Sequence, residues 1–308
     1  MRFCSILLHL IAVACMTDCM GQHTPLTSQY LFNGLSINPA YAGSRDVLSA
    51  TFTHRQQWAG FEGAPITQVI GVHAPVKRSA VGLGLMAYND RIGVSNETGL
   101  LTNYAYRIRM PNRAKLALGI GAGISFHRAK WTDVALSEAN DPSFAADTRG
   151  AVRPNFSAGM LYQTKVWYMG ISVPFLLAHR FDVNDRGYRL SDTRLDLEPM
   201  LTGGYVFTLN DDLKLKPTSL IRYRLASGFQ GDVSANLIYR EKVWMGASFR
   251  SGDSVIGMVE VLPTPQWRIG YAYDLGFSRI NPYHYGSHEL LVQYEFGYRI
   301  RVRDPRYF

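Results

Sequence analysis

The stretch Lys115–His127, KLALGIGAGISFH, decides the fold. Leu116, Leu118, Ile120, Ala122, Ile124 and Phe126 share one parity, and Ala117, Gly119, Gly121, Gly123, Ser125 and His127 share the other. A period of two is that of an extended strand, whose successive side chains point to opposite faces. The second face is small and weakly polar, not charged as on a soluble sheet. A transmembrane strand of roughly 9–11 residues, with lipid outside and an enclosed interior within, fits this pattern.

Working outward, the 308 residues are 18% charged and 12% aromatic, with 18 tyrosines and 28 glycines. Short strands with abundant Tyr and Gly suit barrels that carry aromatic girdles at both interfaces. The net charge of +8 suits anionic partners or lipid surfaces without marking a site. No basic run interleaved with aromatics forms a nucleic-acid motif, so nucleic acid is not an expected partner. No stretch of about 18 consecutive apolar residues follows the N-terminus, so membrane entry requires a closed barrel, whose strands leave no unpaired edge in lipid.

The chain divides into four parts. Residues 1–21, with Arg2 ahead of the apolar run Ile6–Ala14, read as a signal peptide, and Cys4, Cys15 and Cys19 leave with it. A lipoprotein reading at Cys15, after Ala12-Val13-Ala14, is the alternative. Residues 22–46, punctuated by Pro39 and Gly43, show no strand pattern and form a periplasmic or plug-like segment. The barrel occupies 47–300, and 301–308 form a basic tail.

Strands are predicted at Val47–Gln57, Ile66–Val76, Ala80–Tyr88, Thr98–Ile108, Lys115–His127, Asn155–Gln163 and Val166–Phe175, then at Leu195–Leu209, Leu213–Leu225, Val233–Tyr239, Val243–Phe249, Val255–Leu262, Trp267–Leu275 and His288–Ile300. This gives an all-β, antiparallel transmembrane barrel of about 14 strands, an even count. Connections after even-numbered strands are brief, such as Lys77-Arg78, Thr164-Lys165 and Arg240–Lys242. Several after odd-numbered strands are long: Trp58–Pro65, Ala129–Pro154, Leu176–Arg194 and Gly276–Ser287. Membrane barrels pair short periplasmic turns with longer extracellular loops in this way.

Parity also sorts the faces. Leu195, Leu197, Leu201, Tyr205, Phe207 and Leu209 belong outside, as do Trp267, Ile269, Tyr271, Tyr273 and Leu275, and Leu290, Val292, Tyr294 and Phe296. Their alternates Arg194, Asp196, Glu198, Arg268, Asp274, Glu289, Gln293 and Glu295 belong in the lumen, because a charge facing lipid at mid-depth costs roughly 2–4 kcal/mol. Arg222, Arg224, Asp232, Arg250 and Glu260 alternate likewise. A lumen of both signs is either a salt-bridged, filled interior or a weakly selective pore. The filled interior is favoured, since the segment before Val47 can fold inward.

Several blocks carry a family resemblance. They are Gln29-Tyr30-Leu31-Phe32-Asn33, Ile37-Asn38-Pro39-Ala40-Tyr41-Ala42-Gly43-Ser44, Arg55-Gln56-Gln57-Trp58-Ala59-Gly60 and Gly63-Ala64-Pro65-Ile66-Thr67. Gly270-Tyr271-Ala272-Tyr273-Asp274, Gly286-Ser287-His288-Glu289-Leu290 and Asp304-Pro305-Arg306-Tyr307-Phe308 close the set. Together these resemble the PorP/SprF family, outer-membrane proteins of type IX secretion and gliding motility in Bacteroidota. The resemblance implies a protein that works with the periplasmic ring and translocon, and that supports secretion or surface attachment of adhesins or other cargo. It supplies no catalytic residues. Pro305 and the arginines before it set the terminal Phe308 outside the last strand.

Chemistry-bearing motifs are sparse. His54, His73, His127, His179, His284 and His288 show no metal spacing and read as lumen or girdle residues. His288 and Glu289 face opposite sides of one strand and so cannot act as a base and its orienter. No G-x-S-x-G elbow occurs. Gly82-Leu83-Gly84 and the glycines of 119–123 lie inside strands, where they permit close packing. Asp133, Glu138, Asp141 and Asp147 read as a solvated loop ahead of a calcium site. No cofactor and no enzymatic activity are expected.

Candidate partner-binding residues are therefore Asn38, Pro39, Tyr41, Arg55 and Trp58 from the resembling blocks, with the basic Lys77, Arg78, Arg240, Lys242, Arg301 and Arg303. The basic turns suit lipid headgroups, or an acidic periplasmic partner by charge complementarity. The expected setting is the outer membrane and its lipid. A porin-like solute channel is the competing reading, and a phospholipase-type enzyme would need a Ser/His/Asn set that the sequence does not assemble.

Overall fold

The computed structural model describes residues 27–45, 47–76, 80–134, 146–184, 187–193, 197–225, 227–278 and 280–297. Its strands are β1 (Leu48–Gln56), β2 (Ile66–Pro75), β3 (Val81–Ile92), β4 (Ser95–Arg109), β5 (Lys115–Ala129), β6 (Thr148–Gln163), β7 (Trp167–Val173), β8 (Ala178–Asn184), β9 (Gly187–Thr193), β10 (Met200–Tyr205), β11 (Phe207–Thr208), β12 (Leu213–Arg224), β13 (Gly228–Tyr239), β14 (Val243–Arg250), β15 (Ser254–Val261), β16 (Trp267–Gly276) and β17 (Ser287–Phe296). Consecutive strands pair antiparallel around a ring. Sheet pairing leaves out the hairpin β8–β9, while β10 and β11 lie end to end against β12 and β10 also pairs β7. β1 closes on β17 from Leu48↔Phe296 to Gln56↔His288, completing a barrel of 14 strands. Closure leaves no unpaired edge within the ring, as the bilayer demands.

The parity read from Lys115–His127 holds in space. Ile120 is 64% and Ile124 54% exposed on the outer face, while Ala117, Gly119, Gly121, Ser125 and His127 are buried inside. Leu201, Tyr205, Phe207, Trp267, Ile269, Tyr271, Leu275, Leu290 and Phe296 are likewise exposed outward. Aromatic pairs ring the short-turn end, with Tyr162–Trp167 centroids 5.0 Å apart and Trp267–Tyr294 4.7 Å apart. At the other end Tyr223 meets Phe229 at 4.6 Å and Phe249 stacks on Phe277 at 5.9 Å. An outward apolar band between two aromatic girdles is the form that hydrocarbon selects.

Strand ends differ from the sequence reading where β13 begins at Gly228 instead of Val233, where the strand expected over 195–209 runs as β10 from Met200 and the short β11, and in three further places. β3 and β4 continue through the expected loop around Asn89–Val94 and turn only at Gly93 (φ +56°) and Val94. Side-chain pairing explains this: the Asn89 amide donates to Thr98 Oγ1 at 2.7 Å and to Asn96 Oδ1 at 3.3 Å. β6 starts at Thr148, not Asn155, because it pairs with the upper part of β5 through Ala129↔Thr148. The expected loop 176–194 contains the hairpin β8–β9. Leu195, where one strand was expected to begin, and Ile300, where the last was expected to end, lie outside the described residues, as do residues 1–26 and 298–308.

The core of this protein lies inside the barrel. Residues 28–45 thread the lumen through two 3-10 turns, Gly34–Ser36 and Pro39–Tyr41. Tyr30, Leu31 and Phe32 pack with Met200, Leu220, Ile238, Trp244 and Leu291 of the wall. Leu35 and Ala42 pack with Val69, Met86, Tyr88, Leu101 and Ala105, and Ala40 and Tyr41 with Ala117 and Leu161. The side chains that a soluble protein would enclose between layers are here divided between a plug and its surrounding wall.

Candidate functional site: the plugged lumen

Three sets of lumen residues hold the plug, and each depends on strands placing inward parity at one level. At the seam between β1 and β17, the Arg55 guanidinium donates to Asp274 at 2.6 Å and to Glu289 at 3.2 Å, all buried. The Glu289 carboxylate accepts from the backbone N–H of Ser28 at 2.6 Å, that of Gln29 at 2.8 Å, and the Thr27 hydroxyl at 2.8 Å. Ser28 Oγ donates to Asp274 at 2.8 Å. A carboxylate is acceptor-only, so two backbone amides, a hydroxyl and a guanidinium suit it fully.

The network spreads around the wall. Arg250 contacts Asp232 at 3.0 Å and Asp274 at 3.7 Å, Arg222 contacts Asp232 at 3.2 Å, and Arg224 pairs with Glu198. Both signs are thus matched within the lumen, where an unpaired ion would carry a penalty of several kcal/mol.

Phe32 makes the second set. Its ring meets Trp244 edge-on at 5.3 Å, with the Arg268 guanidinium 4.6 Å and the Lys216 ammonium 5.8 Å from its centroid. Arg268 also pairs with Glu260 at 2.7 Å. Cations over ring faces gain from the negative π surface, more so once desolvated.

The third set explains Gly119 of the opening stretch, with Gly82 and Gly159 elsewhere on the wall. A Cβ on Gly119 would stand 2.1 Å from the Ala40 nitrogen, and one on Gly82 2.1 Å from the Ala42 carbonyl oxygen. One on Gly159 would meet Asn38 Oδ1 at 2.3 Å. The small inner face is therefore the groove that admits Asn38–Ala42. Asn38 caps the second turn, accepting from the Ala40 N–H at 2.9 Å while its amide donates to the Met160 carbonyl at 3.1 Å. Tyr41 stands edge-on to His73 at 5.9 Å, and Arg45 pairs with Glu295 at 3.3 Å. Between plug and wall a cavity of about 20 Å³, lined in part by Tyr30, Ile37, Asn38, Tyr168 and Lys216, has room for a water or so.

The sequence-selected residues separate accordingly. Asn38, Pro39, Tyr41 and Arg55 are buried within the barrel, so in this conformation they meet the plug and wall instead of an external partner. Trp58 lies at the long-loop rim with φ +45°, its N–H bonded to Ser287 Oγ at 3.1 Å and its ring 6.2 Å from that of His284. Arg240 and Lys242 are exposed in the opposite, short-turn rim. Arg240 pairs with Asp212 at 3.1 Å, and that carboxylate raises the guanidinium's pKa by hydrogen bonding and charge. Lys77, Arg78, Arg301 and Arg303 lie outside the described residues, as do Glu138 and Asp141 of the acidic loop. Sequence reasoning did not single out Ser28, Gln29 and Phe32 as anchors. The signal available was the run of small lumen-facing residues, which leaves volume for something else to occupy.

The description "Type IX secretion system membrane protein PorP/SprF" belongs to a family whose profile matches residues 20–294. The chain belongs to the PorP/SprF family. As a PorP/SprF protein it is an outer-membrane β-barrel of a secretion-system family. No curated protein matches it. Solved structures similar to this PorP/SprF barrel include the outer membrane protein Omp33 of Acinetobacter baumannii, 9% identical, TM-score 0.47, covering 82% of this chain and 100% of that one. A FadL homologue of Pseudomonas aeruginosa is 12% identical with TM-score 0.49, covering 90% and 96%. The translocator domain of the autotransporter NalP from Neisseria meningitidis is 12% identical with TM-score 0.45, covering 87% and 93%.

Proposed function

We propose that this PorP/SprF protein is a closed, non-enzymatic component of the type IX machinery, supporting secretion or surface attachment of cargo without conducting solutes. The observation that carries the reading is the filled lumen: a buried carboxylate, a cation-flanked aromatic ring and a glycine groove all hold residues 28–45 in the path a solute would take. Its rims then supply the working surfaces. The exposed Arg113, Lys165, Arg240 and Lys242 on the short-turn side suit docking to an acidic periplasmic partner such as the secretion ring. The opposite rim carries the longer loops and is where surface cargo or a gliding adhesin would be met.

Two measurements test this together. Purified protein in planar bilayers is expected to show no steady conductance, and deletion of the gene is expected to leave cargo in the periplasm with small-solute permeability unchanged. Stable open-channel steps, or normal cargo export after deletion, would refute the proposal.

A further inference from the structure

The outer wall differs around the barrel at the level just above its apolar band. On β1–β5 the cross-strand register stacks outward side chains into rows. Phe52, Ile70, Ala87, Leu100 and Ile124 form one row, wholly apolar. The next row toward the long loops is His54, Gln68, Asn89, Thr98 and the exposed Phe126, with His54–Gln68 and Asn89–Thr98 hydrogen bonds of 3.2 and 2.7 Å. The row beyond is Gln56, Ile66, Arg91, Asn96 and Arg128. Arg91 and Arg128 are exposed and each faces Asn96 across one strand, so their Cα atoms stand roughly 10 Å apart at two strand spacings. Lys130 follows two residues above Arg128, 3.7 Å from Asp133.

At the comparable height on the opposite half of the wall, the exposed outward residues are Leu225, Phe229, Phe249, Leu275 and Phe277. Among the described residues, cations therefore gather on one sector, at headgroup depth. A cleft of about 820 Å³ adjoins them, lined by Gln56, Phe61, Glu62, Ile66, Arg91 and Trp131 among others. Short turns and both barrel-terminal strand ends mark the periplasmic rim, so this ledge faces the outer leaflet.

We propose that Arg91 and Arg128, with Asn96 between them, bind the phosphate of an outer-leaflet glycolipid. The arginine forks pair with phosphate oxygens, the Asn and Gln amides and the Glu62 carboxylate meet sugar hydroxyls, and the acyl chains lie along the Leu100 and Ile124 row. The ledge thereby fixes which sector of the barrel faces ordered glycolipid and which is left to other neighbours. This holds whether or not the lumen conducts.

The test is native mass spectrometry of the full chain, with lipid A, enzymatically dephosphorylated lipid A or phosphatidylethanolamine as probe. The wild-type protein is expected to retain lipid A over both other lipids. The double variant Arg91→Gln/Arg128→Gln is expected to bind it about tenfold or more weaker. Arg109→Gln, exposed on the other rim, is expected to bind like wild type. Equal retention of phosphorylated and dephosphorylated lipid by the wild type, which needs no variant to fold, would overturn the assignment. So would unchanged binding in the Arg91/Arg128 variant, equal loss in the Arg109 variant, or displacement of lipid A by excess inorganic phosphate, which would make the ledge a free-anion site.

Discussion

Glu289→Gln is nearly isosteric and should release the start of the plug while leaving the barrel closed. Four donors converge on the two wild-type oxygens, from Thr27, Ser28, Gln29 and Arg55. An amide offers one acceptor oxygen and one donor group. If its oxygen takes the Ser28 and Arg55 side, its NH₂ faces the Gln29 N–H, and only the Thr27 hydroxyl can rotate to accept. One buried amide is then unsatisfied, at about 1–3 kcal/mol. The remaining bonds lose their charge assistance, and Arg55 keeps only Asp274 as its close carboxylate. The sum is about 3–5 kcal/mol, in the range for breaking one side of a buried ion pair. Even the lower figure is a factor of roughly 150 in an equilibrium constant. Hydrogen exchange by mass spectrometry in nanodiscs reads that factor as local opening. Peptides covering Ser28–Phe32 should exchange on the order of a hundredfold faster, with β4 and β5 unchanged. Equal exchange at Ser28 and Gln29 in a folded variant would refute the claim that this carboxylate anchors the plug.

Other expectations follow from the same geometry. Gly119→Val places a Cβ 2.1 Å from the Ala40 nitrogen and should expel Asn38–Ala42 from the wall, giving conductance steps in planar bilayers, whereas Gly257→Ala, with nothing within 4 Å, should stay silent. Ile120→Arg puts a charge on a 64% exposed outward position in the apolar band and should lower folding stability in lipid vesicles by about 2–4 kcal/mol, read by urea titration. The Asp147 carboxylate accepts from the Thr132 N–H at 3.1 Å and hydroxyl at 2.8 Å, which lowers its pKa. A depressed carboxyl contributes its stabilisation above the ordinary value of about 3.9 and loses it as pH falls through the lower folded value. The Thr132 amide resonance in micelles should therefore hold constant down to about pH 4 and shift only below it; a midpoint between pH 5 and 6 would contradict the contact.

Much of the barrel was legible because lipid enforces one rule on every strand. Outward residues such as Ile120, Leu201 and Trp267 must be apolar, so alternation alone located all fourteen barrel strands. The ends were harder. Asn89, Asn96 and Thr98 have the composition of a turn, yet they satisfy one another across β3 and β4, and such pairing exists only once register is known. The interior was legible in sign but not in partnership. Alternation sent Asp274 and Glu289 inward, but their meeting with Arg55 depends on β1 closing against β17. The plug itself has no period to detect: Gln29–Ser44 is held by shape and by scattered polar contacts. Its imprint was on the wall, where Gly82, Gly119 and Gly159 are small for a reason that lies in another segment.

The Glu289 anchor joins residues about 260 positions apart in the chain. Closing so long a loop is entropically unfavourable until the strands between are in place, and contacts of this separation form late. The segment synthesised near the beginning must therefore wait for the final hairpin before it has anywhere to dock. Insertion into the membrane and sealing of the lumen become a single terminal event, and a barrel stalled before that event would stand open.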